Sequence, residues 1–152
     1  MTTVYLDTSS LVKLYVEQHG SDDVRQDLAD ASAAITSLVA FPEARAAFAR
    51  LRREGDITPL AFRAVKRDFD RDWSGYLVVT PTFDLCRAAG DLAEHYGLRG
   101  FDSIHLATFL QIASNEPSEV RFSSFDRRLN GAATRALRAA RRSGQRSGRR
   151  SG

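Results

Sequence analysis

Val4-Tyr5-Leu6-Asp7-Thr8-Ser9-Ser10-Leu11-Val12-Lys13-Leu14-Tyr15 runs from an apolar segment through an acid and three hydroxyl residues into a stretch with helical spacing. The apolar run ending at Asp7 predicts a short strand. Thr8, Ser9 and Ser10 supply N-cap oxygens, and Leu11, Leu14 and Tyr15 share one helical face. The order is strand, then helix, with a carboxylate at the junction. A charge directly ending a buried strand is costly unless something uses it, which makes Asp7 the first candidate functional residue.

The alternation continues along the chain. Gly20 stops the first helix, and Ser21-Asp22-Asp23 opens another whose dipole the acids complement. Ala33-Ala34-Ile35-Thr36 predicts a second strand. A helix follows from about Ser37 to Arg53, closed by Gly55, with Pro42 delaying its regular part to about residue 41. Thr58-Pro59 pairs an N-cap with a first-turn proline and opens a helix through Trp73. Tyr76-Leu77-Val78-Val79 is a continuous apolar run ending in two β-branched valines, and so reads as the clearest strand, buried in a parallel sheet. Helices over Phe83 to Tyr96 and Phe101 to Ala113 come next, then a strand Val120-Arg121-Phe122-Ser123 just before Asp126. Strands alternating with helices predict an α/β fold, three layers α/β/α around a short parallel sheet of four to five strands.

With 152 residues, the chain is long enough for one domain with a core that needs no disulfides. A composition 43% hydrophobic and 27% charged argues against both a disordered chain and a membrane protein. No apolar run approaches the roughly 20 residues that span a bilayer, and the N-terminus lacks a secretory signal, so a cytoplasmic protein is expected. Cys86 is the single cysteine, read as a buried structural thiol. The charge is uneven. Seven arginines and no acids lie between Arg135 and Gly152, and taking them from the net +3 leaves −4 for the rest. The expected division is therefore a folded domain over 1–134 and a basic, unstructured tail over 135–152. In that tail Arg141, Arg142, Arg146, Arg149 and Arg150 are candidates for sequence-independent attraction to phosphates.

In open α/β sheets the working site lies beyond the carboxyl ends of the strands. Asp7 and Asp126 follow strands at that end, Asp102 stands in the first turn of a helix, and Glu43 lies early in another. Like charges about 4 Å apart repel by roughly 4 kcal/mol at an effective dielectric of 20, so such a cluster requires a proton or a cation. An all-oxygen ligand set selects a hard ion, Mg²⁺ or Mn²⁺, which activates water and stabilises a leaving oxyanion on phosphorus. On local grounds alone Asp102 also suits the helix dipole, and Glu43 beside Arg45 also suits a solvent-facing helix surface.

Four blocks carry a resemblance. They are the opening stretch through Tyr15, Glu43 in its helix, Arg99-Gly100-Phe101-Asp102-Ser103-Ile104-His105-Leu106-Ala107-Thr108, and Phe122-Ser123-Ser124-Phe125-Asp126-Arg127-Arg128-Leu129. In this order the chain, to about Asn130, resembles the PIN-domain ribonucleases, and among them the VapC toxins of bacterial and archaeal toxin–antitoxin pairs. The resemblance implies a PIN-like fold and an Mg²⁺/Mn²⁺ site formed by Asp7, Glu43, Asp102 and Asp126, supported by the hydroxyl of Ser9 or Ser124. It implies endonucleolytic cleavage of RNA leaving 5′-phosphate ends, a homodimer, and inhibition by a VapB-type antitoxin. After Ala140 the chain departs from the family pattern. Arg141-Arg142-Ser143-Gly144 stands where a Gly-Leu and a β-branched edge strand are usual.

Other residues admit a plainer reading. His105, one turn after Asp102, is expected to orient or pack rather than bind a hard ion. Trp73 and Tyr76 are expected in the core or a dimer contact rather than stacked on bases. A phosphatase with Asp7 as nucleophile would want a second Asp where the chain has Ser9, and a receiver domain would want a lysine after a late strand. The remaining alternative is a catalytically inactive PIN-fold module that binds RNA or an antitoxin, against which the four acids argue.

Overall fold

The computed structural model describes residues 2–115 and 119–148, with the side chains of 145–148 excepted. Its elements follow the order β1 (Thr3–Leu6), α1 (Thr8–Lys13), α2 (Ser21–Asp30), β2 (Ala33–Ser37), α3 (Ala40–Glu54) and α4 (Pro59–Asp72). A 3₁₀ turn (Trp73–Gly75) leads into β3 (Leu77–Val79), α5 (Phe83–Tyr96), α6 (Gly100–Asn115), β4 (Val120–Ser123) and α7 (Arg127–Gly148). Four strands form a parallel sheet in the order β3-β2-β1-β4, with Tyr5 opposite Ile35 on one side and Phe122 on the other.

The pleat of β1 separates two cores, since alternate side chains leave opposite faces of a strand. Val4 and Leu6 pack with Leu11, Val24, Phe48 and Phe69 from α1 to α4. Tyr5 points the other way, among Leu106, Phe109, Leu129 and Ala133 of α6 and α7. Helices therefore cover both faces, the three-layer α/β/α arrangement expected. Because the strands are parallel, their carboxyl ends open on one side of the sheet, and β1 and β4 deliver Asp7 and Asp126 there.

Local chemistry sets most boundaries. Thr58 caps α4 by accepting from the Ala61 amide at 3.0 Å, and Pro59 occupies its first turn. Thr58→Ala is expected to lower stability by about 1 kcal/mol in urea unfolding without changing the site, because this cap is exposed and remote from it. Gly55 and Gly97 end α3 and α5 in the left-handed conformation.

Several expectations need correction. α1 ends at Lys13 rather than running to Gly20, and its cap is Asp7 itself, not Thr8, Ser9 or Ser10. β3 is a three-residue edge strand with Leu77 57% exposed, because among the described residues it pairs with β2 alone. An edge position leaves an apolar run half covered, which the sequence alone does not show. Cys86 is exposed on α5 rather than buried. The basic end is not unstructured as far as Gly148, since α7 carries the chain on as helix. Leu129, Ala132, Ala133 and Ala136 form a buried stripe at helical spacing, and Ala and Arg are strong helix formers beyond it. Arg141 and Arg142 are exposed on that helix; the side chain of Arg146, and Arg149 and Arg150 entirely, lie outside the described residues. Among the described residues β4 ends the sheet, and no helix is long and apolar enough to cross a membrane.

Candidate active site

Beyond the strand ends lies a cleft of about 410 Å³ whose walls include Asp7, Glu43, Asp102 and Asp126. Four separate elements supply these acids. Asp7 joins β1 to α1, Glu43 sits in the first turn of α3, Asp102 in the first turn of α6, and Asp126 directly precedes α7. A negative group near a helix N-terminus is favoured by the macrodipole, so each placement stabilises its helix as well as aiming a carboxylate at the cleft.

Asp7 is 3% exposed and held from three directions. Its Oδ1 accepts from the Ser9 hydroxyl at 2.7 Å and the Ser10 amide at 3.0 Å, and its Oδ2 accepts from the Ser124 hydroxyl at 2.6 Å. Burial pushes its carboxyl above the ordinary aspartate range, although the Ser124, Ser9 and Ser10 bonds pull the other way. Ser9 in α1 and Ser124 after β4 thus share one carboxylate. Ser124 also accepts from the Asp126 amide at 3.1 Å, which ties Asp126 to Asp7 through one hydroxyl.

Glu43 is held by a different set. Its Oε1 accepts from the Thr8 hydroxyl at 2.7 Å and from His105 Nε2 at 2.9 Å. Burial alone would raise its carboxyl, but the bonds from His105 and Thr8, with the charges of His105 and Arg99, outweigh it and hold the group below the usual range. His105 is 1% exposed, and its Nδ1 meets the Tyr5 hydroxyl at 2.9 Å. A carboxylate only accepts, so the Nε2 proton points at Glu43, while Nδ1 shares the second bond with the Tyr5 hydroxyl. His105 orients Glu43, as its plainer reading expected.

Asp102 and Asp126 face an exposed cation of the chain's own. Arg99 Nε donates to Asp102 Oδ2 at 3.2 Å, and its Nη2 lies 3.8 Å from Asp126 Oδ2. The Arg99 side chain is 83% exposed, so screening by solvent leaves little energy in this pairing. Its position shows that a positive group is accommodated between the two acids.

A model of the PIN domain matches residues 4–134. The chain belongs to the PIN-domain family. It is also 35% identical over 133 residues to two proteins from two strains of Mycobacterium tuberculosis, named "Ribonuclease VapC45" and "Ribonuclease VapC49". Each alignment covers 88% of this chain and 90% of the relative.

The donor set of this PIN domain fits a hard divalent ion. Each carboxylate oxygen offers two lone-pair sites. Asp7 Oδ2 accepts one bond, Glu43 has all its bonds on Oε1, and Asp102 has its bond on Oδ2. Oxygen capacity therefore remains on each of the three. Among the described residues no group of three His, Cys, Asp or Glu side chains is drawn together tightly enough to form a finished metal cage. The acids instead line an open cleft, the form that leaves room for substrate beside an ion.

Trp73 packs against Phe41 and Phe69, and Tyr76 bonds to Tyr15 at 2.7 Å, so both belong to the core beside α3 and α4 and not to the cleft. Sequence reading missed Thr8 as a partner of Glu43, Arg99 as the cation beside Asp102 and Asp126, and Lys13, Arg50 and Phe125 as cleft walls. The i,i+3 spacing of Arg99 and Asp102 was the one local signal available.

Proposed function

We propose that this PIN domain is an Mg²⁺- or Mn²⁺-dependent endoribonuclease, the toxin of a VapBC-type pair. Asp7, Glu43, Asp102 and Asp126 would be its metal ligands, with Ser9 and Ser124 supporting them. The observation that supports the reading best is the meeting of four acids from four elements in one cleft that also carries Lys13, Arg50 and Arg99. A ligand that suits both sets is a divalent ion together with a polyanion.

When bound, the ion supplies Lewis acidity that activates water and neutralises charge developing on phosphorus. The chain's own residues do the rest. Ser9, Ser10 and Ser124 fix the rotamer of Asp7, and His105 with Thr8 fixes Glu43 while leaving its second oxygen to the cleft. Lys13, Arg50 and Arg99 offset the repulsion between an acidic cleft and the RNA backbone. Arg99, exposed beside Asp102 and Asp126, would be within reach of a phosphate in the cleft.

In this proposal the partners are RNA, a VapB-type antitoxin that covers the cleft, and a second copy of the chain in a homodimer. The test of the activity is cleavage of RNA in Mg²⁺ or Mn²⁺, stopped by excess chelator and restored by adding the ion back. Cleavage that persists in chelator would overturn it. Growth that slows when the chain is expressed alone and recovers with a co-expressed partner encoded beside it would support the toxin assignment. Unaffected growth would count against it.

A further inference from the structure

One wall of the cleft is built of groups that holding a metal does not require. Phe125 is 39% exposed and lines the cleft, whereas Tyr5, Phe48 and Phe69 are fully buried. Leaving a large aromatic ring half in water forgoes burial that folding would otherwise use.

The ring is also held in place. The Phe125 amide donates to Ser9 Oγ at 2.9 Å, and the same Ser9 hydroxyl donates to Asp7 Oδ1, so two hydrogen bonds link the Phe125 backbone to the most buried acid of the site. Gly20, at φ 90°, lies against the ring, where an added Cβ would collide with Phe125 Cε1. This close approach and the left-handed backbone both require glycine. Lys13 holds its ammonium over the ring, 4.6 Å from the centroid and 3.4 Å from Gln18 Oε1, and it makes no ion pair among the described residues. An aromatic face beside an uncompensated cation is the pairing that takes single-stranded nucleic acid, the ring stacking a base and the cation meeting a phosphate.

We propose that Phe125 and Lys13 form a nucleotide subsite beside the acid cluster, in which the Lys13 side chain swings off the ring to the adjoining phosphate and an unpaired RNA base stacks on Phe125 in its place. The choice of RNA as ligand rests on the nuclease reading above. A base within a duplex offers no free face, so only an unpaired base can occupy the subsite. Stacking tolerates any base, so the subsite adds affinity without reading base identity.

The test measures binding of the full chain, at low salt and in chelator so that no cleavage intervenes. The probes are an eight-nucleotide oligoadenylate and an abasic ribose-phosphate oligomer of equal length. Phe125→Leu keeps an apolar side chain against Gly20 but removes the π face. It is expected to weaken oligoadenylate binding by at least about fivefold and to leave the abasic oligomer unchanged. Phe125→Trp should restore the difference, and Lys13→Met should weaken both probes. Equal weakening of both probes by Phe125→Leu, or of neither, would overturn the subsite. So would a loss confined to binding of a protein partner. Thermal unfolding of each variant separates these results from misfolding. A chain that binds as expected but never cleaves would sink the nuclease reading and leave the subsite standing. Cleavage without the oligoadenylate preference would do the reverse.

Discussion

Asp7→Asn is expected to lower RNA cleavage by about 10²-fold or more while leaving the metal-free protein at least as stable as the parent. The activity loss follows from removing a charged ligand from the proposed ion site, where Lewis-acid stabilisation amounts to several kcal/mol and each 1.36 kcal/mol is tenfold in rate. The stability expectation comes from the hydrogen bonds. Asn Oδ1 can still accept from Ser9 and the Ser10 amide, and its amide group can donate to the Ser124 hydroxyl, which turns to accept. The contacts to Ser9, Ser10 and Ser124 are then all kept, and the cost of burying a charge is gone.

The pH dependence has a definite sign. Burial raises the folded carboxyl of Asp7 above its unfolded value, so ionised Asp7 costs stability at pH above that raised value and costs nothing below the ordinary aspartate range. The advantage of Asp7→Asn in urea unfolding should therefore be absent in acid and grow as pH rises through the ordinary carboxylate range. Adding Mn²⁺ should raise the unfolding midpoint of the parent and not of the variant, since only a ligand that binds the folded state stabilises it. A variant that cleaves at the parental rate would remove Asp7 from the mechanism. Growth inhibition that survives Asp7→Asn would show that toxicity does not come from the nuclease.

What the sequence disclosed, and what it hid, follows from the range of the interactions involved. Asp7 was legible because strand, acid and cap hydroxyls lie within a few residues, and Gly55, Thr58, Pro59 and Gly97 act on their immediate neighbours. Glu43 was not legible locally. The partners that hold it, Thr8 and His105, lie 35 and 62 residues away, and only the resemblance to a family singled it out. β3 read as a buried strand because a run such as Leu77-Val78-Val79 does not reveal which strand lies at the sheet edge. Cys86 was misplaced for a similar reason, since a thiol on a helix carries no sign of which face the next layer covers. Phe125 is the reverse case. Its side chain suggests core, and its role at the cleft wall comes from the backbone bond to Ser9 and the glycine behind it, which no periodicity encodes.

Removing residues 141–152 should flatten the salt dependence of RNA binding by up to about 3.5 in the slope of log affinity against log salt. Each phosphate contact on a single strand contributes about −0.7, and the segment carries five arginines, Arg141, Arg142, Arg146, Arg149 and Arg150. The segment begins where α7 stops burying side chains. Leu129, Ala132, Ala133 and Ala136 supply the packing, while residues 141–144 are exposed, so truncation after Ala140 leaves the buried stripe intact and the domain folded. The helical course of α7 to Gly148 sharpens the prediction, because a helix carries Arg141 and Arg142 at fixed positions where a coil would spend entropy to bring them to a phosphate. Specificity should not change, since contacts to phosphate carry no base information. Cleavage at saturating RNA should also hold, because the acids belong to elements that the truncation does not touch. Binding of full-length and truncated protein across a salt series checks this. An unchanged slope would mean that the arginines never reach the backbone. Loss of folding on truncation would mean that the chain beyond Ala140 makes packing contacts that its exposure does not reveal.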